Sequence, residues 1–342
     1  MPPYAPRPVV RLRGPFPVPI RVSDDEHRPH RLGFAVKVLG GGGLPSHDAR
    51  RWQSGPHLSV SLDRLEAILA YCADSEICFY RMASSLVPYG THPDLPRFHR
   101  QVAECEERLA QVGERALAQG TRLTSHPSQY VVLNSENPGV RDAAVRDLEL
   151  HAALFDAMGL GPESVVVLHV GSAGGGAEAG VDRFLAGVER LSDRARSRLV
   201  VENDDRVFAL VDVLDVSRRA GLPVAWDILH HHCRDPAAVP DREALELALA
   251  TWPAGVTPKI HYSSPKTAVE EKRRKVGRRT ERSLVLPQLR AHADLLDPIA
   301  FEHFVRETAA GLRFDIMLEA KAKDLALLRL REQLAARGVA LS

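Results

Sequence analysis

Eight short aliphatic or β-branched runs, separated by longer amphipathic segments, are the feature that most narrows the fold of this chain. They fall at about 31–36, 77–82, 121–125, 164–170, 198–202, 223–227, 257–262 and 313–319. Such alternation reads as βα units around a parallel sheet, and eight units are the number that closes a (β/α)8 TIM barrel. Val165-Val166-Val167-Leu168 is apolar without alternation, as expected of a strand covered on both faces. A length of 342 residues admits two domains or one barrel of about 250 residues with additions. The eightfold pattern selects the second, an α/β chain with a single barrel over 31–337.

Helix signals lie between the runs. Asn137 before Pro138 places a cap before a proline at the first helical position. Ser61 and Asp63 open a second helix, in which Leu62, Leu65, Leu69 and Cys72 form a stripe. The stretch 97–119, ended by Gly120, reads as a third. Residues 1–30 are rich in proline and arginine without periodicity and read as a flexible basic arm. The glycine runs at 40–43 and 171–176 follow strands but match neither GxGxxG nor GxxxxGK[ST]; loops on the barrel mouth are the expectation.

With 44% hydrophobic residues the chain has the material for a large core. Its 45 basic and 44 acidic residues leave a formal charge of +1, so any affinity for a polyanion must come from local patches. The four cysteines form no CxxC pair, which argues against a disulfide framework or a zinc ribbon and suits a reducing cytoplasm. No apolar run approaches the ~20 residues of a membrane span, and no secretion-type segment opens the chain, so no membrane partner is expected.

Histidine, at 15 residues, is the unusual component, and its placement is informative. His126 follows strand 3 with Gln129 and Tyr130 close behind; His169 closes strand 4; Glu202, Asn203 and Asp204 close strand 5. Asp227, then His230 and His231, close strand 6; strand 7 carries Lys259 and His261; Glu319 and Lys321 close strand 8. In a TIM barrel those strand ends share one face, where active sites sit. Imidazole with carboxylate suits zinc, manganese or iron, and about seven donors exceed the needs of one ion. Two or three divalent metals, of the kind that activate water against phosphodiesters, are the economical expectation. Within the histidine run, His230 is expected as the first ligand, His231 as the second and His232 as a loop residue. Cys72, Cys78 and Cys105 lie on apolar faces and are read as packing.

Lys259 shares a strand face with His261. An ammonium beside cations is repulsive, so Lys259 either pairs with an anion or is neutral or modified. The basic segment 266–282 follows strand 7 as a βα loop. It would project from the same face as the metals, where Arg273 and Arg274 suit phosphate contacts.

These motifs together resemble the UV damage endonuclease family, relatives of the endonuclease IV barrels. The resemblance runs from about residue 31 to 324 and rests on Arg31-Leu32-Gly33, His92-Pro93, Ser125-His126-Pro127-Ser128-Gln129-Tyr130, Val167-Leu168-His169, Glu202-Asn203-Asp204, Asp227-Ile228-Leu229-His230-His231, Pro258-Lys259-Ile260-His261 and Glu319-Ala320-Lys321. It implies a DNA repair enzyme that nicks UV-damaged duplex DNA 5′ of the photoproduct with divalent ions, commonly Mn2+, with Zn2+ or Mg2+ as alternatives. It implies metal ligands at His92, His126, His169, Glu202, Asp227, His230, His261, His292 and Glu319, and a carboxylated Lys259. Glu202, Glu319, Lys259 and His261 are implied at the reacting centre. Gln129 and Tyr130 are implied as a wedge opposite the flipped lesion, a task suited to a planar amide and an aromatic ring, and Phe34 and Lys321 as further DNA contacts. Relatives carry Tyr and Asn where Phe34 and Val38 stand, so lesion range is the property most open to change. A monomer at the nucleoid suffices for cutting a bent duplex. The competing reading is a divalent-metal sugar isomerase or epimerase on a related barrel, which needs neither the basic segment nor the Gln129-Tyr130 pair.

Overall fold

A computed structural model describes residues 30–234, 239–277, 279–339 and 341. The basic arm expected over 1–30 therefore lies outside the described residues, apart from His30, whose Nδ1–H donates to Phe314 O at 2.9 Å. The strands are β1 (Leu32–Ala35), β2 (Phe79–Arg81), β3 (Arg122–Thr124), β4 (Val166–His169), β5 (Leu199–Glu202), β6 (Val224–Ala225), β7 (Lys259–Tyr262), β8 (Glu270–Val276), β9 (Arg279–Val285) and β10 (Asp315–Leu318). Two parallel sheets, ordered β3-β2-β1-β10-β7 and β4-β5-β6, meet at two seams. A parallel bridge joins Ser125 to Val166, and another joins Asp227 to His261. The eight parallel strands thus follow one another around a (β/α)8 barrel in chain order, as the sequence pattern requires, with β8 and β9 as an addition between the last two.

Alternation along each strand divides the core in two. Val166, Leu168, Val201, Val224, Ile260 and Ile316 join the apolar layer beneath the helices. Val167, Val200 and Ala225 belong to a separate inner cluster, and Ala35, Phe79 and Met317 to another. The residue two positions beyond an inward one points the same way, so Val167 leads to His169, Val200 to Glu202, Ala225 to Asp227 and Met317 to Glu319. Gly33 is required because a Cβ there would lie 2.6 Å from the Phe79 ring, which packs in the inner cluster with Ala35 and Met317. At the lower end Arg122, fully buried, and Arg31 both bond Asp315, at 2.7 Å each.

Three local expectations need correction. The helix placed at Ser61 spans Leu58–Asp74 and is capped by His57, whose ring accepts the Ser59 N–H at 3.2 Å; the Ser61 hydroxyl instead accepts the Asp48 N–H at 2.9 Å. The stretch 97–119 is not one helix: a 3-10 turn over Pro96–Phe98 precedes Gln101–Glu104 and Glu106–Ala118. The backbone leaves helical values at Cys105 (φ −113°, ψ 15°). The helix at Asn137 does start as expected, with Asn137 Oδ1 accepting the Gly139 N–H at 2.8 Å. The segment 266–282 is not a loop, because most of it forms the antiparallel β8–β9 ribbon.

Candidate metal centre

Glu202 is the hub of the barrel mouth. It ends β5 pointing inward, 1% exposed, and its two oxygens meet four imidazoles. Oε1 accepts from His261 Nδ1 at 2.8 Å and lies 3.6 Å from His230 Nδ1. Oε2 bonds His126 Nε2 at 3.0 Å and lies 3.6 Å from His169 Nε2. Burial opposes ionisation of Glu202, yet His261, His169 and His126 hold its carboxyl well below the usual carboxylate range. Burial likewise opposes ionisation of Glu319, but Arg81 and His261 keep it ionised.

The same surroundings act differently on the neighbours. Burial, with the negative charges of Glu202 and Glu319, pushes Asp227 up to about 7 against the pull of His230. His230 rises to about 9: burial opposes its charge, but Asp227, Glu202 and Glu319 outweigh it. His261, fully buried, drops to about 4 chiefly by burial and is neutral at pH 7.

Donor atoms gather into three overlapping groups, each within 4.8 Å of one another: His126 with His169 and Glu202; Glu202 with Asp227 and His230; Asp227 with His261 and Glu319. His169 Nδ1, Asp227 Oδ2 and His261 Nε2 are buried with no hydrogen-bond partner. Buried lone pairs of this kind are costly unless a cation or a donor meets them. Three carboxyls and four imidazoles in one pocket fit hard to borderline divalent ions. His292 joins the rim, with Nδ1 3.7 Å from Glu319 Oε2. His92 belongs to none of the three groups; it is exposed on the loop after β2, its ring centroid 6.1 Å from that of Tyr89.

Lys259 lies fully buried below the carboxylates. Its Nζ has no hydrogen-bond partner and sits 5.5 Å from the centre of the Phe79 ring. Burial first, then the guanidinium groups of Arg81 and Arg122, depresses its pKa well below the lysine value. Of the two readings open from sequence, the ion pair finds no partner at Nζ, which leaves the neutral or modified amine.

Several expected residues have other tasks. Phe34 does not face DNA: it is fully buried and packs on Tyr80 with ring centroids 5.3 Å apart. His231 turns away from the cluster, where its Nε2 bonds Val239 O at 2.8 Å. His232 sits on the helix Ile228–Arg234, not in a loop, and pairs with Asp241 at 2.8 Å. Asp204 caps its own turn, accepting the N–H groups of Arg206, Val207 and Phe208. Gln129 and Tyr130 are exposed on the loop after β3, Tyr130 at 78%. A cavity of about 570 Å3 opens beside them, lined by Gln129, His126, His169, His230 and Arg206 among others. Lys321 is exposed on the rim, its backbone N–H on Ala293 O at 3.0 Å. Arg273 and Arg274 are exposed on the ribbon.

Arg81 escapes the sequence reading, and Asn203 enters it only as a residue closing strand 5, without a role. Arg81 closes β2, two positions beyond inward Phe79, and its Nη1 pairs with Glu319 Oε1; marking the polar residue that closes strand 2, as for strands 3 to 8, would have found it. Asn203 is fully buried and locks β5 to β6. Its amide donates to Asp227 O at 3.0 Å and accepts the Asp227 N–H at 2.8 Å. Asp227 Oδ1 in turn accepts the His230 N–H at 2.8 Å, so Asn203 orients two candidate ligands at once.

The family model for UV-endonuclease UvdE matches residues 58–340. The UV DNA damage endonuclease of Bacillus cereus (strain G9842) is 30% identical over 282 residues, 82% of each chain. That of Bacillus mycoides (strain KBAB4) is 31% identical over 277 residues, 80% of this chain and 81% of its own. Among solved structures, SacUVDE superposes with a TM-score of 0.75 at 28% identity, covering 90% of this chain and 99% of its own. The 3-keto-D-glucoside 4-epimerase YcjR from E. coli has a TM-score of 0.53 at 10% identity, a likeness of fold alone.

Proposed function

The chain belongs to the UV-endonuclease UvdE family, and from that premise we propose that it nicks UV-damaged duplex DNA immediately 5′ of the photoproduct by metal-dependent phosphodiester hydrolysis, leaving 3′-hydroxyl and 5′-phosphate ends. One observation carries the metal dependence: Glu202, Asp227 and Glu319 converge with four imidazoles around buried, unpartnered lone pairs on His169, Asp227 and His261. The ligand set is His126, His169, Glu202, Asp227, His230, His261 and Glu319, with His292 beside it, for two or three ions, Mn2+ first and Zn2+ or Mg2+ as alternatives. Divalent ions held there would supply Lewis-acid charge to a phosphate and a more acidic water.

The chain's own side chains do the rest. Glu202 and Asn203 fix the rings and the carboxylate that must face inward. Arg81 offsets the negative charge of Glu319. Lys259, uncharged at the barrel centre, adds no repulsion; a free amine is also the form that condenses with CO2, losing one proton to give an anionic carbamate, as the family resemblance implies. Gln129 and Tyr130 stand clear of the mouth, where a duplex would meet them, with Lys321 on the rim and Arg273 and Arg274 on the ribbon for phosphate contacts.

A sugar epimerase on the same barrel has less support, since a small polyol requires neither an exposed Tyr130 nor a cationic ribbon. The deciding experiment compares cleavage of irradiated, abasic and undamaged duplexes with and without a chelator. Chelator-sensitive nicking confined to irradiated DNA is the expected result. Chelator-resistant nicking, or none, would refute the proposal.

A further inference from the structure

We propose that the β8–β9 ribbon is a groove-inserting arm that holds undamaged duplex alongside the lesion, a deepening that rests on the DNA-cleaving function above. The ribbon serves the fold poorly. Every described side chain from Glu270 to Leu284 is exposed, so it has no apolar face, and a lone two-stranded hairpin is marginal in water. Register places Arg273 directly opposite Arg282, a like-charge pair that weakens the ribbon itself, relieved in part by Glu271, 2.8 Å from Arg273. Within 270–285 there are seven basic residues against three acidic, a net of +4 in a chain whose formal charge is +1.

The distribution of that charge points to a groove. Pairing partners share a face, so Arg273, Lys275 and Arg282 lie on one side and Lys272, Arg274 and Arg279 on the other. A flat phosphate surface would call for one cationic face. A groove has phosphates on both walls, and the major groove, about 12 Å wide, admits a two-stranded ribbon. Strands of seven residues span about 24 Å at ~3.4 Å per residue, or about seven base pairs.

The ribbon also stands where such an arm must stand. An antiparallel bridge between Pro265 and His292 pins its base, so it leaves the barrel at the mouth that carries Glu319 and His292.

The test uses an undamaged 20-base-pair duplex and the full-length protein. The salt dependence of binding is measured for the parent, for the triple variant Arg273→Ser, Lys275→Ser and Arg282→Ser, and for a protein with 269–286 replaced by a short Gly-Ser linker. Melting curves establish that each is folded. Three lost phosphate contacts should reduce the slope of log Kd against log salt by about 2 to 3. Guanine N7 atoms over about one ribbon length should be shielded from dimethyl sulfate by the parent and open in both variants. An unchanged slope in both variants would overturn the assignment, as it would if the ribbon served a protein partner. A reduced slope without N7 protection would overturn insertion into the major groove. If the parent shows the ribbon-dependent slope and protection but nicks no irradiated DNA, the proposed function fails and not the ribbon's.

Discussion

His261 Nδ1 donates to Glu202 Oε1 at 2.8 Å, which leaves the lone pair of this neutral ring on Nε2, buried and without a partner. One carboxylate thereby sets the tautomer of a ring on a strand two places around the barrel, the arrangement by which carboxylates orient metal-binding histidines. Glu202→Gln keeps the shape and removes the charge that both His261 and His126 bond. Affinity for Mn2+ should fall on the order of a hundredfold or more, and nicking of irradiated plasmid should disappear. Calorimetric titration beside a plasmid assay measures both, and unchanged affinity would refute the assignment.

Asn203 touches no candidate ion site directly, yet its two bonds to the Asp227 backbone fix where that carboxylate and His230 sit. Asn203→Ala should weaken metal binding about 10- to 100-fold, the usual effect of removing an outer partner. Retention of the parent's circular dichroism would separate that loss from unfolding. Equal affinity in the variant would show that β5 and β6 hold Asp227 without this lock.

Proton competition sets the pH dependence of metal loading. In the metal-free protein His230, raised to about 9, carries a proton at neutral pH, and Asp227, raised to about 7, gains one below that. A ligand must shed its proton to bind. From these two groups, apparent affinity should rise about tenfold per pH unit between about 7 and 9, more steeply below 7, and level off above 9. Titrations across that range in buffers of differing ionisation heat would detect the released proton. A Kd independent of pH from 6 to 9 would contradict it.

Much of this was legible in sequence, for definite reasons. Strands buried on both faces leave continuous aliphatic runs, and the two-residue period then dictates that His169, Glu202, Asp227 and Glu319 enter the barrel together. What escaped depends on contacts distant in sequence. Arg81 acquires its meaning only when β10 brings Glu319 beside it. Phe34 is one residue out of phase with the inward-facing strand set, and His231 stands one position along a helix from His230, turned to Val239; tertiary packing and not residue type decides their fate. The ribbon was hidden because 270–285 lacks the polar–apolar alternation of a strand with one buried face.

Arg81 and Glu319 form an ion pair in which both side chains are largely buried, 14% and 12% exposed. Removing one partner of such a pair strands the other charge. Arg81→Met should therefore lower the stability of the metal-free protein, by about 3 kcal/mol, and enlarge the stabilisation that Mn2+ confers, since a cation then meets Glu319 without competition. Thermal melting with and without Mn2+ tests both. A variant as stable as the parent without metal would mean that the pair contributes no net stability.

Tyr130 offers the cleanest separation of DNA recognition from metal chemistry. It is 78% exposed, so Tyr130→Ala costs the fold little, and it belongs to none of the three donor groups. If its ring stacks in the duplex at the lesion, its loss removes about 1–3 kcal/mol, a weakening of roughly 5- to 150-fold in binding to irradiated duplex. Affinity for Mn2+ should not move. Tyr130→Phe should restore most of the binding, because stacking needs the ring and not the hydroxyl. Parallel measurements of Kd for irradiated and undamaged duplexes give the result directly, and a variant that keeps its full preference for irradiated DNA would remove Tyr130 from the recognition surface.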